Sequence, residues 1–110
     1  MHKNKSTGLL AVPEYPLPKV RELIEQGKIR IRSNARNDAL NDFGWDTAHI
    51  VEALQKLKQE HFHKRDVSNI NQWHVYDFYK AYGLCGENVY THFYIDHDEN
   101  VLVINSFKRI

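Results

Sequence analysis

The sequence has few of the features that mark secreted, membrane-spanning or strongly basic proteins. Cys85 is its single cysteine, which excludes an intrachain disulfide framework and favours a reducing cytoplasm. No secretory signal is visible near the first residue. No apolar run approaches the roughly 20 residues of a membrane-spanning helix. We therefore expect a cytoplasmic protein without a membrane partner.

The chain also lacks an excess of either charge. It has 15 Lys and Arg against 14 Asp and Glu, whereas nucleic-acid-binding proteins are usually basic. Any nucleic-acid site must therefore be a local patch. Its 110 residues, of which 42% are apolar and 12% aromatic, fit one folded domain and exclude disorder. Residues 1–17 lack periodicity and contain Pro13 and Pro16, so we expect a flexible tail there and a folded domain over 18–110.

Hydrophobic periodicity predicts helices first and strands afterwards, because the apolar period changes from 3.6 to 2 after residue 60. The predicted helices are 18–27, 33–40 and 47–59, the last one capped by Asp46. The predicted strands are 28–32, 61–65, 73–80, 88–95 and 101–108. This order indicates an α+β fold in which the N-terminal helices pack on one face of a mainly antiparallel, twisted sheet.

Alternation along the predicted strands gathers Tyr, His, Lys and Arg side chains, with few carboxylates. Tyr90 and His92 share one face of their strand, and Tyr76 and Lys80 share one face of another. Such a mixture suits RNA cleavage without a metal, since cations stabilise a phosphorane and His, Tyr or Lys can move protons. Taken singly, however, a strand tyrosine usually serves packing. The sequence does not show that these faces converge.

Three other interpretations use different residues or no catalytic residues. In strand 61–65, His61, His63 and Arg65 alternate with Phe62 and Lys64. His61 and His63, with a carboxylate such as Asp77, could begin the metal site of a hydrolase, although no third ligand has motif spacing. Cys85 as a nucleophile has no activating partner in the sequence. A non-catalytic module that binds protein or RNA is the main alternative, and the near-zero net charge favours it.

Several segments stand in a characteristic order and spacing. They are the helix–Gly–strand opening at 20–30, then 57–64, Trp73, 77–80, 88–90 and the closing strand 101–108. Through these segments, residues 18–110 resemble the MqsR-type mRNA interferase toxins of the RelE-like superfamily. The resemblance implies the toxin of a type II toxin–antitoxin system, an endoribonuclease that cleaves mRNA without a metal or cofactor. It also implies neutralisation by a cognate antitoxin of the MqsA type, which we expect to be zinc-binding with a helix-turn-helix domain.

The resemblance also implies roles for individual residues. The family's active-site lysine falls on Lys64, the tyrosine of its valine–tyrosine pair on Tyr90, and the lysine that closes its last strand on Lys108. Tyr76 departs from the pattern, because the family has glutamine there; tyrosine could replace it as a proton donor or stacking group. We expect these four residues to be catalytic. The residues expected to bind RNA are Lys80, His92, His63 and Arg109.

Overall fold

Helices and strands follow one another in the order that the periodicity predicted. The computed structural model describes residues 12–67 and 74–110. The helices are α1 (Leu17–Glu25), α2 (Ser33–Phe43) and α3 (Thr47–Gln55). The strands are β1 (Ile29–Ile31), β2 (Phe62–Val67), β3 (Val75–Leu84), β4 (Glu87–Asp96) and β5 (Val101–Arg109). In the described part of the chain, no helix is long and apolar enough to cross a membrane. Trp73, in one predicted strand, lies outside the described residues.

The five strands form one sheet in the order β1-β5-β4-β3-β2. The three pairs from β2 to β5 are antiparallel, whereas β1 pairs with β5 in parallel, with Ile29 opposite Leu102. The α+β fold with helices on one face of a mainly antiparallel sheet is thus confirmed. The parallel pair was not predicted. In β5, an interior strand, Leu102, Val103 and Ile104 are all buried.

The boundaries of α2 and α3 are set by local capping residues, and a distant side chain binds carbonyl groups at and after the end of α3. Gly44, in the left-handed region at φ 73°, ends α2 and donates its N–H to Leu40. Asp46 caps α3 by accepting from the N–H of His49, as predicted. The expected helix 47–59 is nevertheless too long, since α3 ends at Gln55 and a 3₁₀ turn covers Gln59–His61. The Arg21 guanidinium donates to the carbonyl of Gln55, the last residue of α3, at 3.3 Å and to that of Leu57, two residues further on, at 2.6 Å.

The core lies between the helices and the face of the sheet that carries Tyr79, Phe93 and Phe107, all fully buried. Tyr79 and Phe93 stack with ring centroids 5.4 Å apart. Ala35 and Ala39 face β5 from α2, and their small side chains let helix and strand approach closely. The opposite face of the sheet is free to carry polar side chains.

The folded region begins before residue 18, because β3 holds the segment that precedes α1. The backbone N–H groups of Glu14 and Tyr15 each donate to the buried Asp77 carboxylate at 2.9 Å. The Tyr15 hydroxyl donates to the Val75 carbonyl at 2.6 Å, and burial raises the pKa of Tyr15 to about 12. Residues 14–17, expected in the flexible tail, are therefore part of the packed domain; residues 1–11 lie outside the described residues.

Candidate active site

The face of the sheet opposite the helices, here called the open face, carries alternate residues of β3 and β4. Its residues are Tyr76, Phe78 and Lys80 of β3 and Tyr90, His92 and Tyr94 of β4. Cross-strand pairing places Phe78 opposite His92 and Lys80 opposite Tyr90. Most of these side chains are half-buried, while their sequence neighbours Asp77, Tyr79, Thr91 and Phe93 are fully buried among the core residues. The strand faces inferred from alternation are therefore confirmed for β3 and β4.

Lys64 reaches the open face through a β-bulge. Phe62 pairs with Tyr79 and Lys64 pairs with Phe78, the neighbouring residue of β3. His63 is therefore an additional residue of β2 that has no partner in β3. Phe62 packs against the Tyr79 ring in the core, with centroids 5.5 Å apart. The Lys64 ammonium instead lies 5.0 Å from the centroid of the Phe78 ring. Strict alternation would have turned Lys64 to the same side as Phe62, and that prediction was wrong because of the bulge.

Lys108 reaches the same face through a second bulge. Along β4 and β5, His92 pairs with Ser106 but Phe93 pairs with Ile104, which leaves Asn105 as the additional residue. Ile104 therefore points into the core, while Lys108 lies opposite Tyr90. The Lys108 ammonium is 5.6 Å from the centroid of the Tyr90 ring. Bulges next to functional sites commonly re-aim a side chain, and here one bulge presents each lysine.

Three lysines from three strands surround two aromatic rings on the open face. Lys80 and Lys108 flank Tyr90 on the two neighbouring strands, and a shallow cavity of about 400 Å³ lies beside them. The Phe78 ring, which Lys64 contacts, has its centroid 6.4 Å from that of Tyr90. Asp66 lies 3.7 Å from the Lys64 ammonium across an exposed ion pair. A local positive patch thus exists although the formal net charge of the chain is only +1.

Tyr90 and His92 form a polar pair at the centre of this patch. The Tyr90 hydroxyl is 3.3 Å from Nδ1 of His92. Burial, reinforced by the charge of Lys108, lowers the pKa of His92 to about 4, so its imidazole is neutral at pH 7. Burial raises the pKa of Tyr90 above its ordinary value, so its phenol keeps its proton. One member can therefore accept a proton where the other can donate one.

The remaining predicted site residues lie at different distances from this pair. His63 is exposed at the bulge of β2, and partial burial followed by the charges of Lys80 and Lys64 lowers its pKa. The Tyr76 ring contacts His92, with centroids 5.2 Å apart, but lies on the side away from Lys108.

Arg109 borders the cavity but turns its guanidinium toward the helices. That group lies 5.2 Å from the Phe43 ring, donates to the carbonyl of Asp42 and lies 3.4 Å from Glu87. It is therefore not directed at the lysines. Phe78 was not among the predicted site residues, although its alternation with Tyr76 and Lys80 could have identified it.

The residues of the metal-hydrolase interpretation lie apart. Asp77 is fully buried in the core, His63 is exposed at the bulge of β2, and His61 accepts from the Lys58 N–H at 3.0 Å. His61 and Cys85 border a separate cavity of about 490 Å³ together with Arg21 of α1. Over residues 12–67 and 74–110, no group of three His, Cys, Asp or Glu side chains could hold a metal ion. The structure thus does not support a site built from His61, His63 and Asp77.

Comparison with protein families decides the relationship. The model of the MqsR toxin family, described as "motility quorum-sensing regulator, toxin of MqsA", matches residues 12–109. The chain belongs to the MqsR toxin family. A search among curated proteins finds no match. MqsR toxins act in toxin–antitoxin systems, so the family implies an antitoxin partner of the MqsA kind. The match includes every predicted site residue and also the segment before α1 that Asp77 holds.

Proposed function

We propose that this chain is an endoribonuclease toxin that cleaves mRNA without a metal ion and is neutralised by a cognate antitoxin. The observation that carries the proposal is the convergence of Lys64, Lys80 and Lys108 around the Tyr90–His92 pair on the open face. Near-zero net charge had favoured a non-catalytic module. The local concentration of cations removes that argument, because a single phosphate needs only nearby charges.

The proposed reaction is attack of an RNA 2′-hydroxyl on its own 3′-phosphate. The bond from phosphorus to the 5′-oxygen of the next nucleotide breaks, which gives a 2′,3′-cyclic phosphate and a 5′-hydroxyl. The five-coordinate phosphorane has more negative charge than the substrate, so fixed cations bind it more tightly. Lys64 and Lys108, which enter the open face from opposite edges of the β3–β4 pair, would hold the phosphate between them.

Two proton transfers accompany this attack. The 2′-hydroxyl loses a proton, and the departing 5′-oxygen gains one. The imidazole of His92 is unprotonated and can accept the first proton, and the phenol of Tyr90 is protonated and can donate the second. General acid–base catalysis of this kind typically contributes ~10²–10⁴-fold to the rate.

The test is cleavage of a single-stranded mRNA fragment in EDTA, with the product ends identified by mass spectrometry. We expect 2′,3′-cyclic phosphate ends. Lys64→Met should lower kcat by ~10²–10³-fold, as for loss of one transition-state donor. Tyr90→Phe should lower it by ~10²-fold or more. The control Lys56→Met removes an exposed lysine of the helical side that pairs with Glu52, and should keep full activity. A requirement for a divalent metal, or full activity of both site variants, would contradict the proposal.

Neutralisation is tested in cells. Expression of the chain should arrest growth, and co-expression of the antitoxin encoded beside it should restore growth. Tyr90→Phe should grow without the antitoxin while still binding it. Growth arrest by a cleavage-deficient variant would show that toxicity has another cause.

A further inference from the structure

Beside the lysines, the open face carries a continuous set of aromatic rings, here called the aromatic strip: Phe78, His92, Tyr76, Tyr94 and His74. We propose that the aromatic strip is a nucleobase-binding surface on which about two consecutive bases of a single-stranded RNA stack, first on Phe78 and then on Tyr76. The inference deepens the proposed ribonuclease function and rests on it for the identity of the ligand.

The rings of the aromatic strip follow one another without a gap. Centroid distances are 4.7 Å from Phe78 to His92, 5.2 Å from His92 to Tyr76, and 5.5 Å from Tyr76 to Tyr94. His74 stacks on Tyr94 at 4.0 Å. The strip begins next to Tyr90 and runs along β3 and β4 away from Lys108. A strand extending from the proposed phosphate site would therefore meet aromatic rings along this direction.

Core packing explains only part of the strip, because Tyr94 is buried with the core residues and Tyr76 packs against them. The fully buried rings of Tyr79 and Phe93 lie on the other face of the sheet. Phe78 and Tyr76 are only half-buried on the open face, so part of each ring is accessible. Tyr94 is buried and His92 is held by Tyr90, so these two support their neighbours. Isolated surface aromatics need no explanation, but a continuous row of partly accessible rings beside a charged site indicates a ligand surface.

Charge beside the strip indicates the class of its ligand. Lys64, Lys80 and Lys108 concentrate at the Phe78 end, and phosphates are attracted to that end. Sheet-based RNA-binding domains stack two or three unpaired bases on exposed rings in the same manner. A duplex is excluded as a ligand, because its bases are already stacked and paired.

The inference is tested by binding, with a probe that cannot be cleaved. Fluorescence anisotropy would compare a labelled 2′-O-methyl oligoadenylate decamer with a decamer of the same backbone that lacks all bases. Stacking contributes ~1–3 kcal/mol per base, which corresponds to about 5- to 150-fold in Kd. Phe78→Leu and Tyr76→Leu should each weaken binding of the oligoadenylate by a factor in this range, and leave binding of the abasic strand unchanged. Phe78→Trp should restore affinity.

Tyr82→Leu is the matched control, because Tyr82 is an exposed tyrosine of β3 that borders the cavity of the helical side. It should bind both decamers like the wild type. Melting temperatures verify that the variants fold. Equal loss of affinity for both decamers in Phe78→Leu, or no loss for either, would overturn the inference. If binding depends on the bases but ordinary RNA is not cleaved, the proposed ribonuclease function is wrong and base binding by the aromatic strip stands. If RNA is cleaved and Phe78→Leu changes neither cleavage nor binding, base binding by the strip is wrong and the ribonuclease function stands.

Discussion

Replacing Asp77 with asparagine measures how the buried carboxylate that holds the segment before α1 affects stability. Asp77 is fully buried and accepts from the N–H groups of Glu14 and Tyr15. Burial disfavours the charged form more strongly than the two hydrogen bonds favour it, so the pKa of Asp77 rises from 3.8 to about 6. The folded protein therefore binds this proton more tightly than the unfolded chain does.

The sign and size of the effect follow by linkage. Between the unfolded pKa of 3.8 and the folded pKa of about 6, the folded state holds more protons, so the contribution of Asp77 to stability decreases as pH rises. A shift of about two pH units corresponds to ~3 kcal/mol. Asparagine has no charge to bury and one acceptor oxygen fewer, which adds a cost of ~1–3 kcal/mol that does not depend on pH. Because the unfolded chain is already partly protonated at pH 4, the free energy of unfolding of the wild type minus that of Asp77→Asn should fall by ~2.4 kcal/mol from pH 4 to pH 7.

Urea unfolding followed by tryptophan fluorescence at pH 4, 5, 6 and 7 provides the measurement. Asp98→Asn, which removes an exposed carboxylate of the β4–β5 turn, controls for the change in net charge. Other titrating groups are common to the wild type and the variant and cancel in the difference. A difference that does not change with pH would refute the reasoning. A difference that increases with pH would mean that the two N–H donors outweigh burial.

Three further substitutions test packing, a helix terminus and a turn by urea unfolding. Phe93→Ala should lower the free energy of unfolding by ~3–5 kcal/mol, because it leaves a cavity where a fully buried ring stood. The control Tyr82→Ala, at an exposed position, should lower it by less than ~0.5 kcal/mol. Equal losses would place Phe93 outside the core. Arg21→Met should lower the free energy of unfolding by ~1–3 kcal/mol, since the carbonyl of Leu57 loses its hydrogen-bond donor. An unchanged urea midpoint would mean that water replaces the guanidinium as donor. Gly44→Ala should lower the free energy of unfolding by ~1–2 kcal/mol, because alanine is strained in the left-handed backbone conformation of this residue. No atom lies within 4 Å of the added methyl group. A larger loss would therefore indicate a clash.

The sequence predicted the elements of the fold well because their signals are local. Asp46 as a helix cap and the alternation of β3 and β4 each depend on a few neighbouring residues. The parallel pairing of β1 with β5 joins residues more than 70 positions apart, and no local pattern encodes it. The carbonyl groups at and after the early end of α3 likewise bind Arg21, a residue of another helix.

The site was predictable in its residue types but not in its geometry. Lys64 and Lys108 both arrive on the open face because a bulge changes the alternation of their strands at His63 and Asn105. A bulge is stabilised by pairing with the neighbouring strand, so strict alternation along one strand cannot reveal it. The resemblance to a family predicted these lysines as site residues, and the folded sheet shows why they lie on the same face.

The strand order also constrains when the chain can become active. β1 is synthesised before β2, β3 and β4, yet its hydrogen-bonding neighbour in the sheet is β5, which is made after all of them. A nascent chain that has reached the β4–β5 turn therefore holds an unpaired first strand and lacks Lys108. Translation of β5 completes the sheet and also supplies Lys108, the lysine that we propose binds the phosphate. A truncated product should consequently be neither stably folded nor harmful to the cell that makes it.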